Sequence, residues 1–431
     1  MLFKTIYSWM TDFTSSAARQ LGLGHSVRRR SSRPKPAAER LELRVVPAIS
    51  MSLQAGVLQI QGDNGLNQVV IDGNDFPGDL VDVTVVSRAT ATSRPVTVHQ
   101  SFLPSQILFV EFHGGNGNDS FINHVEALPT LLYGDAGNDS LTGGDNIDFI
   151  SGGAGNDTIL GRAGDDTLNG NVGNDSMRGG GGDDDLYGDT GNDILFGEQG
   201  DDGVTGGDAG DSLYGNQGDD RFLVRKGQPS AKDASTNDAV ITFSTGDKQW
   251  TVLEMKQVDQ GLRLLHHETG NDNLLELRNG VAVELVRHGT NEDLLGSNNS
   301  RGTIRLYEGA FKNEPLLAQT VIHEFAHNWD SSAELGNWSD WVDLSCWNQD
   351  WSSLLDPAYA LAENFDFLDP WFYHANVGFA LTYGRTNPQE DFATGWESYF
   401  QRKYQMANPQ GLIRLPADKQ DFLQDFFQDL R

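Results

Sequence analysis

GGAGNDTIL at residues 152–160 runs directly into GRAGDDTLN at 161–169, and the same nine-residue pattern fills the chain from Gly134 to Leu223. Ten consecutive units occupy this stretch, and each has aspartate at its sixth position: Asp139, Asp148, Asp157, Asp166, Asp175, Asp184, Asp193, Asp202, Asp211 and Asp220. Eight units carry glycine at position four, with Asn146 and Ala209 the exceptions, and every unit carries an apolar residue at position eight, from Leu141 through Ile150 and Met177 to Phe222. A fixed period of this kind marks a fold in which each unit buries its apolar residue only by stacking on its neighbours. Glycines such as Gly152, Gly155, Gly161 and Gly164 permit a tight turn at positive φ without a Cβ clash. The aspartates and nearby carbonyls offer hard oxygens to Ca²⁺, and the eighth residue points inward from a very short strand. The spacing therefore predicts a parallel β-roll, a calcium β-solenoid, over 134–225. A flexible Gly/Asp-rich linker needs neither the sixth-position aspartate nor the apolar eighth residue, so the pattern argues against one.

Residues 134–223 hold 20 Asp+Glu, 3 Arg and no Lys, a net 17 of the chain's 30 excess negative charges. Carboxylates stacked at that density repel one another unless a divalent cation lies among them, so calcium is expected to be a folding requirement. The segment resembles the haemolysin-type (RTX) repeat family, whose consensus Gly-Gly-x-Gly-x-Asp-x-apolar-x is met almost literally by 152–160. The resemblance covers about a fifth of the chain. A further copy, GGNGNDSFI at 114–122, lies out of contiguous register and reads as a capping turn.

The length of 431 residues predicts two to four domains, and a sequence pI near 4.5 argues against nucleic acid or an anionic membrane surface as partner. Cys346 is the only cysteine, so no intrachain disulfide can form, and bound calcium is the alternative staple for an exported protein. No apolar run approaches the ~18 residues of a membrane span. The first fifty residues carry nine Lys+Arg against three Asp+Glu and include Arg28-Arg29-Arg30. Residues 1–50 thus read as a disordered basic leader of a secreted or cell-surface protein. MLFKTIYSWM lacks the apolar core and cleavage site of a signal peptide, so the export route is not specified. Residues 51–133, with the alternating segments GVLQIQGDNG (56–65) and QVVIDGNDFPGD (68–79), predict short strands leading into the roll. His99, His113 and His124 lack ligand spacing and read as packing or surface residues.

After Arg225 glycine thins out, and helical periodicity appears in KQWTVLEMKQVDQGLRLLHH (248–267) and PLLAQTVIHEFAHNWD (315–330). The second contains HEFAH: His323, Glu324 and His327. Four residues apart on a helix, the two imidazoles share one face and can both reach a zinc ion at about 2.1 Å, with Glu324 beside the open coordination position. Val321, Ile322, Phe325, Ala326 and Trp329 around them make this a core helix whose histidines face a cleft. The pattern is what zinc-assisted peptide hydrolysis requires. A metzincin needs glycine and histidine three and six residues after the second histidine, where this chain has Asp330 and Ala333. A gluzincin, with a glutamate from a later helix, remains. In YGRTNPQEDFATGWESYF (383–400), Asn387, Pro388 and Glu390 match the cap, first and third positions of such a helix.

This stretch resembles the catalytic domain of the anthrax lethal-factor-like and Pro-Pro endopeptidase group, in which a tyrosine precedes the liganding glutamate by seven residues, as Tyr383 precedes Glu390. The resemblance spans roughly 230–431 and implies that His323, His327 and Glu390 bind zinc, that Glu324 is the general base and that Tyr383 hydrogen-bonds the oxyanion. Two positions depart from the group: Thr394 stands where a second glutamate is frequent, and Asp391 where an aromatic is usual. Glu397, seven residues on and on the same face, is the alternative ligand, Asp391 a third, and Glu390 can instead be a capping-box carboxylate. Asp330 and Asn328 are candidates to orient an imidazole. Adjacent His266 and His267 diverge by about 100° on a helix, which opposes joint metal binding. Trp338, Trp341, Trp347 and Trp351 read as core packing. The strand GTIRLYEGAF (302–311) is expected at the sheet edge, where a peptide could pair. Phe422, Phe426 and Leu430 predict an amphipathic docking helix, and Cys346 lacks the setting of a nucleophile.

The expectation is a multi-domain chain in which the parallel β-roll precedes an α+β, mainly helical zinc-peptidase domain at 226–431. Its cofactors are Ca²⁺ and Zn²⁺, and its activity that of a secreted calcium-dependent zinc metalloendopeptidase acting on a protein or peptide. The alternative is a non-catalytic extracellular calcium-binding adhesion or matrix protein with an inactive peptidase-like domain.

Overall fold

Inward-pointing residues that recur every nine positions give each unit one short strand, and consecutive units alternate between two parallel sheets. The computed structural model describes residues 49–73, 80–207, 210–226, 239–269, 275, 283–290, 295–298, 302–329, 341, 347–348, 359–361, 372–374, 388–406 and 415–429. In one sheet Ile150 pairs with Leu168, Leu168 with Leu186, Leu186 with Val204 and Val204 with Phe222. In the other, Ile159 pairs with Met177, Met177 with Leu195 and Leu195 with Leu213. These side chains fill the interior of the roll and are at most 2% exposed. The result is a parallel β-solenoid of about nine turns over residues 110–306.

The fourth-position glycines follow from the stacking. Gly155 has φ 138°, and a Cβ there would lie 1.6 Å from the carbonyl oxygen of Gly137 one turn below. Only glycine tolerates both the backbone angle and the approach. Asn146, one of the two exceptions, is not at positive φ.

The region before the repeats joins the same core. Strands Leu66–Gly73, Val81–Arg88 and Val96–Phe102 form an antiparallel meander. Val57–Gln61 pairs in parallel with Phe109–His113, and Leu66–Gly73 with Ser120–Asn123. His124 bonds Asp72 at 2.7 Å and His113 stacks on Tyr133 at 4.6 Å, which agrees with packing rather than ligand roles.

The first sheet crosses residue 225 without a break. Arg221–Arg225 pairs in parallel with Ala239–Thr245, followed by Glu284–Arg287 and Thr303–Leu306, and the sheet ends in the antiparallel strand Gly296–Asn298. The edge expected within 302–311 is therefore covered: a strand from the loop just before it folds back and takes the outer position. Helices α1 (Val252–Thr269), α2 (Glu314–Ala326), α3 (Pro388–Lys403) and α4 (Ala417–Asp429) form the C-terminal region among the described residues. None of the described helices is long and apolar enough to cross a membrane.

Helix α1 bridges roll and helices. Tyr187 donates to Asp259 at 2.6 Å, Arg221 to Asp259 at 3.1 Å, Arg263 pairs with Asp185 at 2.6 Å and Lys256 with Asp189 at 2.8 Å. On its other side a Cβ at Gly261 would lie 3.1 Å from the Ala318 carbonyl, so α1 and α2 are in close contact. A second core of Phe325, Phe392, Trp396, Phe400 and Phe427 holds α2, α3 and α4 together. Trp341 is fully buried, with its ring edge-on to Phe392 at 5.2 Å, and Phe426 of α4 is 5% exposed, as the packing and docking readings expect. Residues 1–48, Trp338, Cys346, Trp351 and Leu430 lie outside the described residues.

Candidate metal centres

Helix α2 begins where the Asn313 side chain accepts the Leu316 N–H at 3.0 Å and Pro315 occupies a first-turn position. It ends at Ala326, yet His327 keeps right-handed angles (φ −65°, ψ −11°), so its imidazole stays on the face of His323. Three atoms converge there. His327 Nε2 is 3.2 Å from His323 Nε2, and Glu390 Oε2 of α3 is 3.2 Å from His323 Nε2 and 3.6 Å from His327 Nε2. An ion holding three ligands at about 2.1 Å in tetrahedral geometry sets them about 3.4 Å apart, so the donor set fits a zinc-sized ion.

Glu397, two turns after Glu390 on α3, faces the same imidazole from behind. His323 Nδ1 donates to Glu397 Oε1 at 2.6 Å, and the carboxylate is 2% exposed. That bond fixes a proton on Nδ1 and leaves Nε2, on the side of Glu390 and His327, as the nitrogen able to offer a lone pair to a metal ion. The two glutamates thus bracket one ring, Glu390 at Nε2 and Glu397 at Nδ1. Asp391 is removed from the site altogether: it is fully buried in an ion pair with Lys419 at 2.7 Å.

The charge balance fits a cation. Burial opposes charge on His323, but the bonded carboxylates of Glu390 and Glu397, with the charge of Glu324, hold its pKa well above the usual histidine range. Burial works to raise Glu390, yet hydrogen bonds from both histidines and their charge hold it far below the usual carboxylate range. Glu324 is pushed up, first by burial, against the attraction of the two histidines and with a contribution from Glu390 and Glu397. Three acids around two imidazoles leave an excess of negative charge that a divalent ion neutralises.

Glu324 itself is 5% exposed, and its Oε2 has no hydrogen-bond partner among the described residues. The edge strand presses on it: a Cβ at Gly296 would lie 2.3 Å from Glu324 Oε1. Asn298 of the same strand donates to the Glu324 carbonyl at 2.5 Å and to Asn328 Oδ1 at 2.8 Å. Asn328 therefore ties the helix end to the edge strand and bonds no imidazole in the described contacts. Gly296 and Asn298 carry no motif, and nothing in the sequence marked them. Tyr383 and Asp330 lie outside the described residues.

The repeat aspartates form two ladders. In one, each backbone N–H donates to Oδ1 of the aspartate one turn on: Asp139 to Asp157, Asp157 to Asp175, Asp175 to Asp193 and Asp193 to Asp211, at 2.7–2.9 Å. In the other, Asp148 donates to Asp166, Asp166 to Asp184, Asp184 to Asp202 and Asp202 to Asp220, at 2.8–3.0 Å. The second oxygen differs. Oδ2 of Asp139, Asp157, Asp166, Asp175, Asp184, Asp193 and Asp202 is buried with no hydrogen-bond partner among the described residues. A buried carboxylate oxygen without a donor is costly, and a row of them is what a chain of cations would satisfy. Burial pushes Asp166, Asp184 and Asp202 up to about 8, and Asp139 and Asp193 up to about 7, with like charge along the ladder adding to the rise. The first-position glycine of each unit clears the space. A Cβ at Gly152 would lie 2.3 Å from Asp157 Oδ2, and one at Gly197 2.0 Å from Asp202 Oδ2. Asp148 departs from the rule, since its Oδ2 accepts the Gly144 N–H at 2.6 Å.

Solenoid, aspartate ladders and the His–His–Glu cluster define a calcium-binding repeat protein joined to a metallopeptidase domain. Family comparisons place both parts: overlapping stretches between residues 133 and 227 match the RTX calcium-binding nonapeptide repeat, and residues 273–412 match the glucose-regulated metallo-peptidase M90 family. The chain thus carries RTX calcium-binding repeats and an M90 metallopeptidase domain, and the second match spans both histidines, Glu390 and Glu397. No match was found among curated proteins.

Proposed function

We propose that the chain is a secreted, calcium-dependent zinc metalloendopeptidase that hydrolyses peptide bonds in a protein substrate. The observation that carries this is the triangle of His323 Nε2, His327 Nε2 and Glu390 Oε2 at 3.2–3.6 Å. Zinc bound there supplies an acidified water and a Lewis acid for the scissile carbonyl. The chain's own residues do the rest. Glu397 orients His323, the raised pKa of Glu324 suits a base that takes a proton and returns it to the leaving amine, and Tyr383 stabilises the oxyanion. Among the described residues Gly296–Asn298 is the outermost strand of its sheet, and its backbone offers pairing to an extended peptide beside Glu324. Asp139, Asp157, Asp166, Asp175, Asp184, Asp193 and Asp202, with Asp211 and Asp220, hold calcium along the roll. Export is supported by the RTX repeats, which are typical of secreted proteins.

Zinc content and hydrolysis of an unfolded protein substrate, compared between wild type and Glu324→Gln, test the reading. One zinc per chain with activity reduced by about 10²–10⁴-fold in the variant supports it. Stoichiometric zinc with no hydrolysis sensitive to Glu324 assigns the non-catalytic, calcium-binding adhesion role instead.

A further inference from the structure

Helix α3 uses two faces. Glu390 and Glu397, seven residues apart, lie toward α2 and its imidazoles. Asp391, one residue on and so about 100° round the helix, lies toward α4. There Lys419 Nζ donates to both of its oxygens, to Oδ1 at 2.8 Å and to Oδ2 at 2.7 Å. Both partners are buried, Asp391 fully and Lys419 to 1% exposure. Their surroundings are aromatic and apolar. Lys419 Nζ lies 5.0 Å from the centre of the Trp341 ring, which itself packs against Phe392 at 5.2 Å and Phe422 at 5.4 Å. One turn along the same face of α3, a Cβ at Gly395 would lie 3.0 Å from the Trp341 ring and 3.7 Å from Leu415. A charged pair thus sits inside a contact made otherwise of closely packed apolar groups.

Stability does not call for charge at that place. Attraction between two buried charges roughly offsets the cost of taking them out of water, and apolar side chains of similar volume commonly hold such a contact as well or better. Helix α4 already holds the C-terminal half of α3 in that way: Trp396 meets Phe427 at 4.9 Å and Phe426 at 5.8 Å, and Phe400 meets Phe427 at 5.4 Å. What the ion pair adds is direction. Apolar rings slide over one another at small cost, whereas an ammonium held by two carboxylate oxygens fixes the rotation of Asp391 and of the turn that carries it. That turn is the first of α3, where N–H groups lack partners within the helix, and it also carries Glu390. Thr394 Oγ1 ties the Glu390 carbonyl to the following turn at 2.8 Å, and the ion pair ties the same turn to a different helix.

We propose that Asp391 and Lys419 are positioning residues of the metal centre: their ion pair fixes the rotation of the first turn of α3 and thereby holds Glu390 Oε2 at 3.2 Å from His323 Nε2 and 3.6 Å from His327 Nε2. Both act through Glu390, not on the ion. The inference rests on the reading of His323, His327 and Glu390 as a metal site. Helix α4, which supplies no member of that cluster, then decides how the third ligand is presented.

Zinc affinity of the full-length chain in saturating calcium, read by competition against a chromophoric chelator, tests this together with melting followed by circular dichroism without added zinc. The double variant Asp391→Leu/Lys419→Met, an apolar pair of similar size, is expected to melt close to wild type and to bind zinc about 10-fold more weakly. Placed in Glu390→Ala, the same two substitutions are expected to weaken zinc binding no further, because the carboxylate they position is gone. Wild-type affinity in the folded double variant overturns the proposal, and so does an equal loss in both backgrounds, which marks a general loosening of the helices. If the apolar pair does not fold, Asp391→Asn carries the test, since it keeps the shape and loses the charge: a loss of affinity that vanishes in Glu390→Ala supports the proposal, and wild-type affinity overturns it. A wild-type chain that binds no zinc, or binds it no more tightly than Glu390→Ala, would instead overturn the metal-site reading, which separates the two failures.

Discussion

Replacing Glu397 by alanine separates an orienting acid from a ligand. In the structure Glu397 touches His323 through one short bond, 2.6 Å from Nδ1, at a buried site. A hydrogen bond between a buried charged group and its partner contributes about 1.5–3 kcal/mol. Loss of an outer partner of a liganding histidine costs about 10–100-fold in metal affinity, which at about 1.4 kcal/mol per factor of ten is the same range. Glu397→Ala is therefore expected to weaken zinc binding about 10–100-fold while keeping a stoichiometry of one. Glu397→Gln, which retains an acceptor without the charge, should fall between it and wild type. Glu390→Ala removes a ligand and should lose far more affinity. Competition against a chromophoric chelator in saturating calcium reads all three. Equal losses for Glu390→Ala and Glu397→Ala, or a larger loss at Glu397, would refute the assignment of roles, as would no change in either Glu397 variant.

Further expectations concern the roll and the edge strand. In chelator, Asp166, Asp184 and Asp202 sit near pKa 8 in the fold against about 4 in an unfolded chain, so the cation-free fold binds more protons between those values. Its stability is fully present below about pH 4 and is lost as pH rises through about 8; calcium-free melting temperatures that rise with pH across this window would contradict it. Leu168→Ala, at a fully buried position stacked between Ile150 and Leu186, should cost about 2–5 kcal/mol and move the calcium-titration midpoint of folding upward. Gly296→Ala drives a methyl into the Glu324 carboxylate; kcat should drop with zinc content unchanged, and wild-type kcat would show that the strand does not set the position of Glu324.

The solenoid was legible because each of its requirements is met inside nine residues. A glycine at φ above 0, an aspartate and an inward apolar side chain recur in register, and stacking copies them along one axis without long-range choice. The segment 62–70 departs from the pattern at its defining position, where Asn67 stands in place of aspartate although Gly62, Gly65 and Val69 keep their places. The first half of the metal cluster was equally local, since two histidines four apart on one helix must share a face.

Everything that joins distant segments waited for the tertiary structure. Glu390, Asp391 and Glu397 were all open as partners of His323 in the chain, and the docking of α3 against α2 sorted them: one at Nε2, one at Nδ1, one drawn to Lys419. Which strand became the sheet edge depended on 296–298 folding back over 303–306, a choice made by antiparallel pairing that neither strand's pattern encodes. The sequence by itself determined the repeat, its ladder of acids and the pairing of two histidines on one helical face, because those properties arise within a turn or between identical neighbours. Only tertiary structure decided what faces the remaining imidazole nitrogens and what lies beside Glu324, because packing between helices and strands far apart in sequence selects one contact among several of equal local merit.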